Sequence, residues 1–166
     1  MTLFAGLPGS GKSTFAEWLS REKNYFYVDM ERGGLDTLEI REIWNQFEDG
    51  SNESAFLNYL RDQKKDIVLD WNFPPQSLDL VQRLKENGIE VWWFDGDRLS
   101  ARKRFLERNT EPVANFDAHV GAFCCSWSLI APIIGENIIR NINPDASFTP
   151  AEETWHLFNN NSPHGF

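Results

Sequence analysis

The sequence predicts an α/β fold, a five-stranded parallel sheet with helices on both faces, three layers in all. Three observations lead there. Short apolar runs alternate with longer amphipathic segments along the chain, as strands joined by crossover helices do. Some runs are continuously apolar, "DIVLD" at 66–70 being the clearest, which suits strands covered on both faces. Between the first run and the first amphipathic segment lies Gly6-x-x-x-x-Gly11-Lys12-Ser13, which fits the strand–turn–helix pattern of a phosphate cradle at every position.

Taken in order, Thr2-Leu3-Phe4-Ala5 forms the first strand, and Phe15, Trp18 and Leu19 recur at helical spacing after the Gly-rich turn. "NYFYVD" (24–29) is aromatic and β-branched and ends on an acid. "LDTLEIREIWNQF" and "NESAFLNYLRDQ" are helical, split by the turn Asp49-Gly50-Ser51 with Asn52 as cap; their buried faces carry Leu38, Trp44 and Phe47, then Phe56, Leu57 and Leu60. The third strand is 66–70. Pro74-Pro75 opens a helix that Gly88 ends. "IEVWWFD" (89–95) is the fourth strand, and a charged helix runs from about Leu99 to Arg108 within a lid at about 97–110. Residues 113–134 are apolar and mostly helical, with Gly121, Pro132 and Gly135 implying a break. "NIIRNIN" (137–143) is the last strand, and Thr149-Pro150-Ala151-Glu152 has the form of a capping box. One domain over 1–159 and a frayed tail at 160–166 are expected.

Composition narrows the function classes. Hydrophobic residues are 41% of the chain, with seven Trp and thirteen Phe, so a packed core is expected rather than disorder. A net charge of −9 argues against an extended duplex nucleic-acid partner, which needs many Lys and Arg contacts to phosphate. Cys124 and Cys125 are adjacent and bridge only with strain, so buried free thiols in a reducing, cytoplasmic compartment are expected. The first strand begins too early to leave room for a targeting segment, and no run is read as a membrane span. His119, His156 and His164 lack metal-ligand spacing and are taken as surface or satisfied residues.

Ligands of open parallel sheets sit beyond the carboxyl ends of the strands, so the residues ending each strand nominate the site. The loop supplies Gly6, Pro8, Gly9, Ser10, Gly11, Lys12, Ser13 and Thr14 for a nucleotide: glycines let backbone N–H groups surround an anion, Lys12 reaches the β and γ phosphates, and the Ser13 hydroxyl binds Mg²⁺. Asp70, behind Ile67-Val68-Leu69, is the second metal candidate, with Asn72 beside it to position substrate. Asp29 ends the second strand and is the candidate general base for a hydroxyl acceptor; Arg32 could grip an anionic group of that acceptor. The lid helix concentrates Arg98, Arg102, Lys103, Arg104 and Arg108 in an otherwise acidic chain. On a helical wheel Leu99, Ala101, Phe105 and Leu106 mark a broad inner face that includes Arg98 and Arg102, while Arg104 and Arg108 form a flanking stripe. Either pair could meet nucleotide phosphates.

The loop, the acid after the second strand, "IVLDWNF" and the Arg-rich helix together resemble the small P-loop kinases of the nucleoside-monophosphate-kinase group. Within it the nearest likeness is to the kinase domain of the polynucleotide-kinase type, often described simply as AAA family ATPase. The likeness covers residues 1 to about 120. It implies ATP and Mg²⁺ as cofactors, a sheet order of 2-3-1-4-5, Asp29 as base, and the family's D-x-N at Asp70 and Asn72. Its lid pattern falls on Phe94, Asp95, Arg104 and Arg108, favouring the second arginine stripe. Because the second strand ends "VDMERGG", without the arginine-and-double-acid stretch of polynucleotide kinases, the implied acceptor is a hydroxyl of a small molecule or nucleotide. A polynucleotide 5′-hydroxyl kinase and a non-catalytic ATP-binding regulatory module are the alternatives; a switch GTPase would need an N-K-x-D stretch, which the chain lacks.

Overall fold

The computed structural model describes residues 1–31, 35, 38–108 and 112–161. Five strands form one all-parallel sheet: β1 (Thr2–Gly6), β2 (Phe26–Asp29), β3 (Ile67–Asp70), β4 (Glu90–Gly96) and β5 (Ile138–Ile142), in the order β2-β3-β1-β4-β5. Every residue of β1 and of β3 is buried, as their places inside the sheet require. Side chains alternate between faces along each strand. Leu3, Leu69 and Trp93 therefore enter one core while Phe4, Trp92 and Phe94 enter another.

The larger core lies under α2 (Leu38–Glu48), α3 (Glu53–Asp62), α4 (Leu78–Glu86) and α6 (Val113–Ile134), where Trp44, Phe47, Phe56, Leu84, Phe123 and Ile134 meet the sheet. The other lies under α1 (Lys12–Glu22) and α7 (Ala151–Asn161) and is centred on Phe158, whose ring touches those of Phe4, Phe15, Trp92 and Trp155. Truncating so enclosed a phenyl ring to alanine costs about 3–5 kcal/mol. A third, small cluster of Ala101, Phe105, Phe116 and Ile142 seats α5 (Arg98–Glu107) over the carboxyl end of the sheet.

Five local expectations are corrected. The wheel over α5 placed Leu99 and Leu106 inward, yet they are 79% and 42% exposed; only Ala101 and Phe105, one turn apart, face the cluster. The break expected within 113–134 is absent. The helix runs through Gly121, carries Pro132 in its last turns, and stops at Gly135 with φ +64°. Its stretch Ala114–Ile134 is also long and apolar enough, by length and composition, to cross a membrane, contrary to the sequence reading; here Phe123, Ile130 and Ile134 pack it against the sheet. Cys124 and Cys125 on that helix are free, as expected, but exposed rather than buried. Finally, the Thr149 hydroxyl donates to the Arg140 carbonyl (3.4 Å) instead of capping α7, and the Pro150 carbonyl accepts the Thr154 amide (2.9 Å).

A candidate active site at the carboxyl end of the sheet

The Gly-rich turn is shaped by what closes on it from both sides. Gly9 has φ +76°, and a Cβ there would stand 2.6 Å from the Ala101 carbonyl of α5. Gly11 has φ +85°, and a Cβ there would stand 2.6 Å from Asn141 Nδ2 and 2.8 Å from the Phe148 ring. Left-handed backbone and close approach both demand glycine, leaving the turn's N–H groups unshielded at the N-terminus of α1. The Asn141 amide donates to the Ser10 carbonyl (2.9 Å) and accepts from the Thr154 hydroxyl (3.1 Å), so β5 and α7 hold the turn from behind.

Lys12 opens α1 and is buried, its Nζ 3.8 Å from Asp70 Oδ1. Asp70 in turn accepts from the Tyr27 hydroxyl (3.3 Å). Burial, then the negative charges of Asp70 and Asp29, push the Tyr27 phenol far above its ordinary 10.0, so it stays protonated and donates. The register of the sheet sets Asp29 directly beside Asp70. Asp29 Oδ1 accepts the Glu31 amide (2.8 Å), and Glu31 Oε1 accepts the Asn72 amide (2.7 Å), tying the ends of β2 and β3 together.

Lys12, Asp29, Glu31 and Asn72 line one cleft of about 250 Å³, whereas Asp70 is buried beside Lys12 and is not part of its lining. Pro8, Gly9, Lys12 and Ser13 come from the loop, Asp29 and Glu31 from the end of β2, and Asn72 from the end of β3. Thr14 instead faces a neighbouring groove of about 300 Å³, shared with Gly11, Asn141, Phe148 and Pro150. Of the lid arginines, Arg108 lines the cleft. Arg104 turns away, donating to the Ala146 carbonyl (2.6 Å) with its guanidinium 4.2 Å from the centre of the Phe148 ring. Arg102 forms a two-pronged pair with Asp117 (3.0 and 3.2 Å), whose hydrogen bonds hold the Asp117 carboxyl below its usual range. Arg98 donates to Cys124 Sγ (3.3 Å) beside a second, aromatic groove. The structure thus brings together Lys12, Ser13, Asp29, Asn72 and Arg108, and does not bring Arg98, Arg102 or Arg104 to them; Arg32 lies outside the described residues.

Beyond Glu31, which the sequence reading gave no role, two residues of this cleft escaped it: Asn115 and His119, one turn apart on α6. Their spacing was the available signal, but without the position of α6 an i, i+4 polar pair is no different from any solvated helix face. The His119 ring also stands edge-on to Phe123 at 4.6 Å, which anchors it from the core side.

The residues present suit Mg²⁺ and a phosphate group. Ser13 and Asp70 offer a hydroxyl and a carboxylate, hard oxygens that suit Mg²⁺. Among the described residues no group of three or more His, Cys, Asp or Glu could hold a metal alone.

No family model matches the sequence, and no curated protein matches it. Solved structures do. A shikimate kinase from Bacteroides thetaiotaomicron superposes with a TM-score of 0.57 at 12% identity, covering 96% of this chain and 95% of that one. A gluconokinase from Sinorhizobium meliloti 1021 gives 0.52 at 16%, covering 96% and 93%, and a sugar kinase from Janibacter sp. HTCC2649 gives 0.58 at 15%, covering 94% and 90%. The fold, with its five parallel strands in the order 2-3-1-4-5, is that of the small P-loop kinases.

Proposed function

We propose that the protein is a phosphotransferase that moves the γ-phosphoryl group of ATP to a hydroxyl of a small molecule. The observation that carries this reading is the convergence of Lys12, Asp29 and Arg108 on one cleft beside the glycine turn. Phosphoryl transfer needs positioning and charge stabilisation more than covalent help from the protein. Lys12 would sit against the β and γ phosphates, and Arg108 would offset charge gathering on the transferred group. Asp29 would accept the acceptor's proton as its oxygen bonds to the γ phosphorus and the bond to the β-phosphate oxygen breaks, leaving ADP. Mg²⁺, held by Ser13 and by Asp70, would neutralise phosphate charge. The reading carries with it a cytoplasmic location, where ATP is supplied.

ADP release from Mg·ATP, measured with sugars, nucleosides, nucleotides, aminoglycosides and oligonucleotide 5′ ends in turn, tests it. The expected result is release raised by some of these acceptors and abolished in Lys12→Ala, with circular dichroism showing that the variant is folded. Retained turnover in Lys12→Ala would remove the loop from the mechanism. Asp29→Asn should lower kcat by two orders of magnitude or more, on the order of the 10²–10⁴ that a general base contributes, while ATP affinity is kept. A loss of ATP affinity without that loss of rate would make Asp29 a structural or metal-linked residue instead.

A further inference from the structure

Among the described residues, the β2–β3 side of the cleft is lined by oxygen acceptors, and the backbone donors of Glu31 and Asn72 are already engaged. Each of these two N–H groups is taken by a carboxylate: Asp29 accepts the first at 2.8 Å and Glu31 the second at 2.7 Å. An anionic ligand arriving there finds neither amide available and meets two negative charges. Asn72 adds a further acceptor, since its Oδ1 is buried and has no hydrogen-bond partner. A buried carbonyl oxygen without a donor is costly, and a ligand O–H or N–H would relieve it. Among the described residues, the Lys and Arg side chains lining the cleft are Lys12 and Arg108, both engaged with the transferred phosphate in the function proposed above.

Resting on that function, we infer that the phosphate acceptor is a small polyhydroxy compound, uncharged or amine-bearing, with no carboxylate or phosphate of its own. Its hydroxyl or ammonium donors satisfy Asn72 Oδ1 and the Glu31 carboxylate while the reacting hydroxyl faces Asp29. An acceptor bearing a carboxylate or phosphate would place like charge against Asp29 and Glu31, a juxtaposition that selects strongly against a partner. The same geometry disfavours a nucleic-acid end, whose neighbouring phosphates would enter with it.

The test is ADP release over two matched sets of compounds, read above the Lys12→Ala background. One set holds glucose, glucosamine, a nucleoside and an aminoglycoside; the other holds glucuronate, glucose 6-phosphate, gluconate, shikimate and an oligonucleotide 5′ end. Stimulation confined to the first set is expected, and Glu31→Gln should then raise the acceptor KM about tenfold or more, the size of one charge-assisted hydrogen bond, while the ATP KM stays within about twofold. A best acceptor from the second set, or a Glu31→Gln protein that improves anionic acceptors without harming neutral ones, would overturn the inference and leave the kinase reading intact. No stimulation by either set, with Mg·ATP still binding by calorimetry, also counts against it. Failure to bind Mg·ATP at all would instead bring down the kinase reading itself.

Discussion

Arg104 and Arg108 lie one turn apart on α5, yet the turn between them separates two environments. Arg108 lines the phosphate cleft, whereas Arg104 braces the loop after β5 through the Ala146 carbonyl and the Phe148 ring. The two should therefore fail differently when truncated. Arg108→Ala is expected to lower kcat by about 10³ or more with a modest change in ATP KM, as loss of a transition-state guanidinium does. Arg104→Ala should act mainly on ATP KM, because Phe148 rests against Gly11 and loosening it relaxes the turn. Steady-state kinetics on the best acceptor separates them, and equal losses of kcat would show that both arginines reach the phosphates. The helical wheel and the family likeness pointed to different stripes of the lid, and the wheel misjudged which leucines face inward. Leucine at 99 and 106 reads as core, and α5 is too short and too charged for its few apolar residues to fix a face. The phosphate loop was legible because its glycines are forced by geometry within a few residues. Asn115 and His119 were not, because what makes them site residues is where α6 lies across the sheet.

Elements explain what holds the cradle in shape. Asn141 sits at the end of β5, is 4% exposed, and links Ser10 of the turn to Thr154 of α7. Removing its side chain would strip the Ser10 carbonyl of its donor, a loss of about 1–3 kcal/mol for a buried group. Asn141→Asp is the sharper probe, since it puts a lone pair where a donor stood. The expected outcome is an ATP KM raised about tenfold or more while kcat with saturating ATP changes little, together with a lowered Tm. A lowered Tm with unchanged ATP KM would reduce Asn141 to a fold residue. Alternation of strands and helices was readable from apolar patterning, and so were the turns at 49–51 and Gly88. Asn52 stands at the start of α3, but its side chain accepts from the Ser54 hydroxyl (2.9 Å) instead of capping the helix. Helix α6 was harder. Gly121 reads as a breaker, but there the backbone is helical and a Cβ would meet nothing within 4 Å. Gly121→Ala should accordingly stabilise the protein by about 0.5–1 kcal/mol in urea unfolding, as glycine in a helix interior is disfavoured by that much. A destabilised variant would mean that the helix needs the glycine for a partner or a bend.

Across the whole molecule, the layered α/β arrangement follows from the alternation of apolar runs, whereas the cleft does not, because its lining is drawn from the loop, β2, β3, α5 and α6 at once. The same cross-chain packing gives the protein a property that no local stretch shows. Each of its three tyrosines is pushed above the ordinary phenol value of 10.0, by burial first and then by neighbouring carboxylates. Tyr25 is raised to about 12 by burial and by the charges of Asp66 and Glu90, Tyr27 further still beside Asp70, and Tyr59 by burial and Glu39. In the native state these phenols are neutral, while in the unfolded chain they ionise near 10.0. Above that pH the unfolded state releases protons that the native state keeps, so the stability these groups contribute is complete below about pH 10 and falls as pH climbs through the native values. Absorbance titration of the phenolate band should show clearly less ionisation at pH 10 in the native protein than in concentrated urea, where half-ionisation falls near 10. The native titration should then run together with loss of the tertiary circular dichroism signal, since ionising Tyr27 also turns the donor of Asp70 into a second negative charge. Tyr27→Phe leaves two titrating phenols and should move the onset of alkaline unfolding to higher pH. If the native tyrosines instead titrate freely near 10 while the fold persists, the packing of β2 against α1 and α7 is looser than the structure describes.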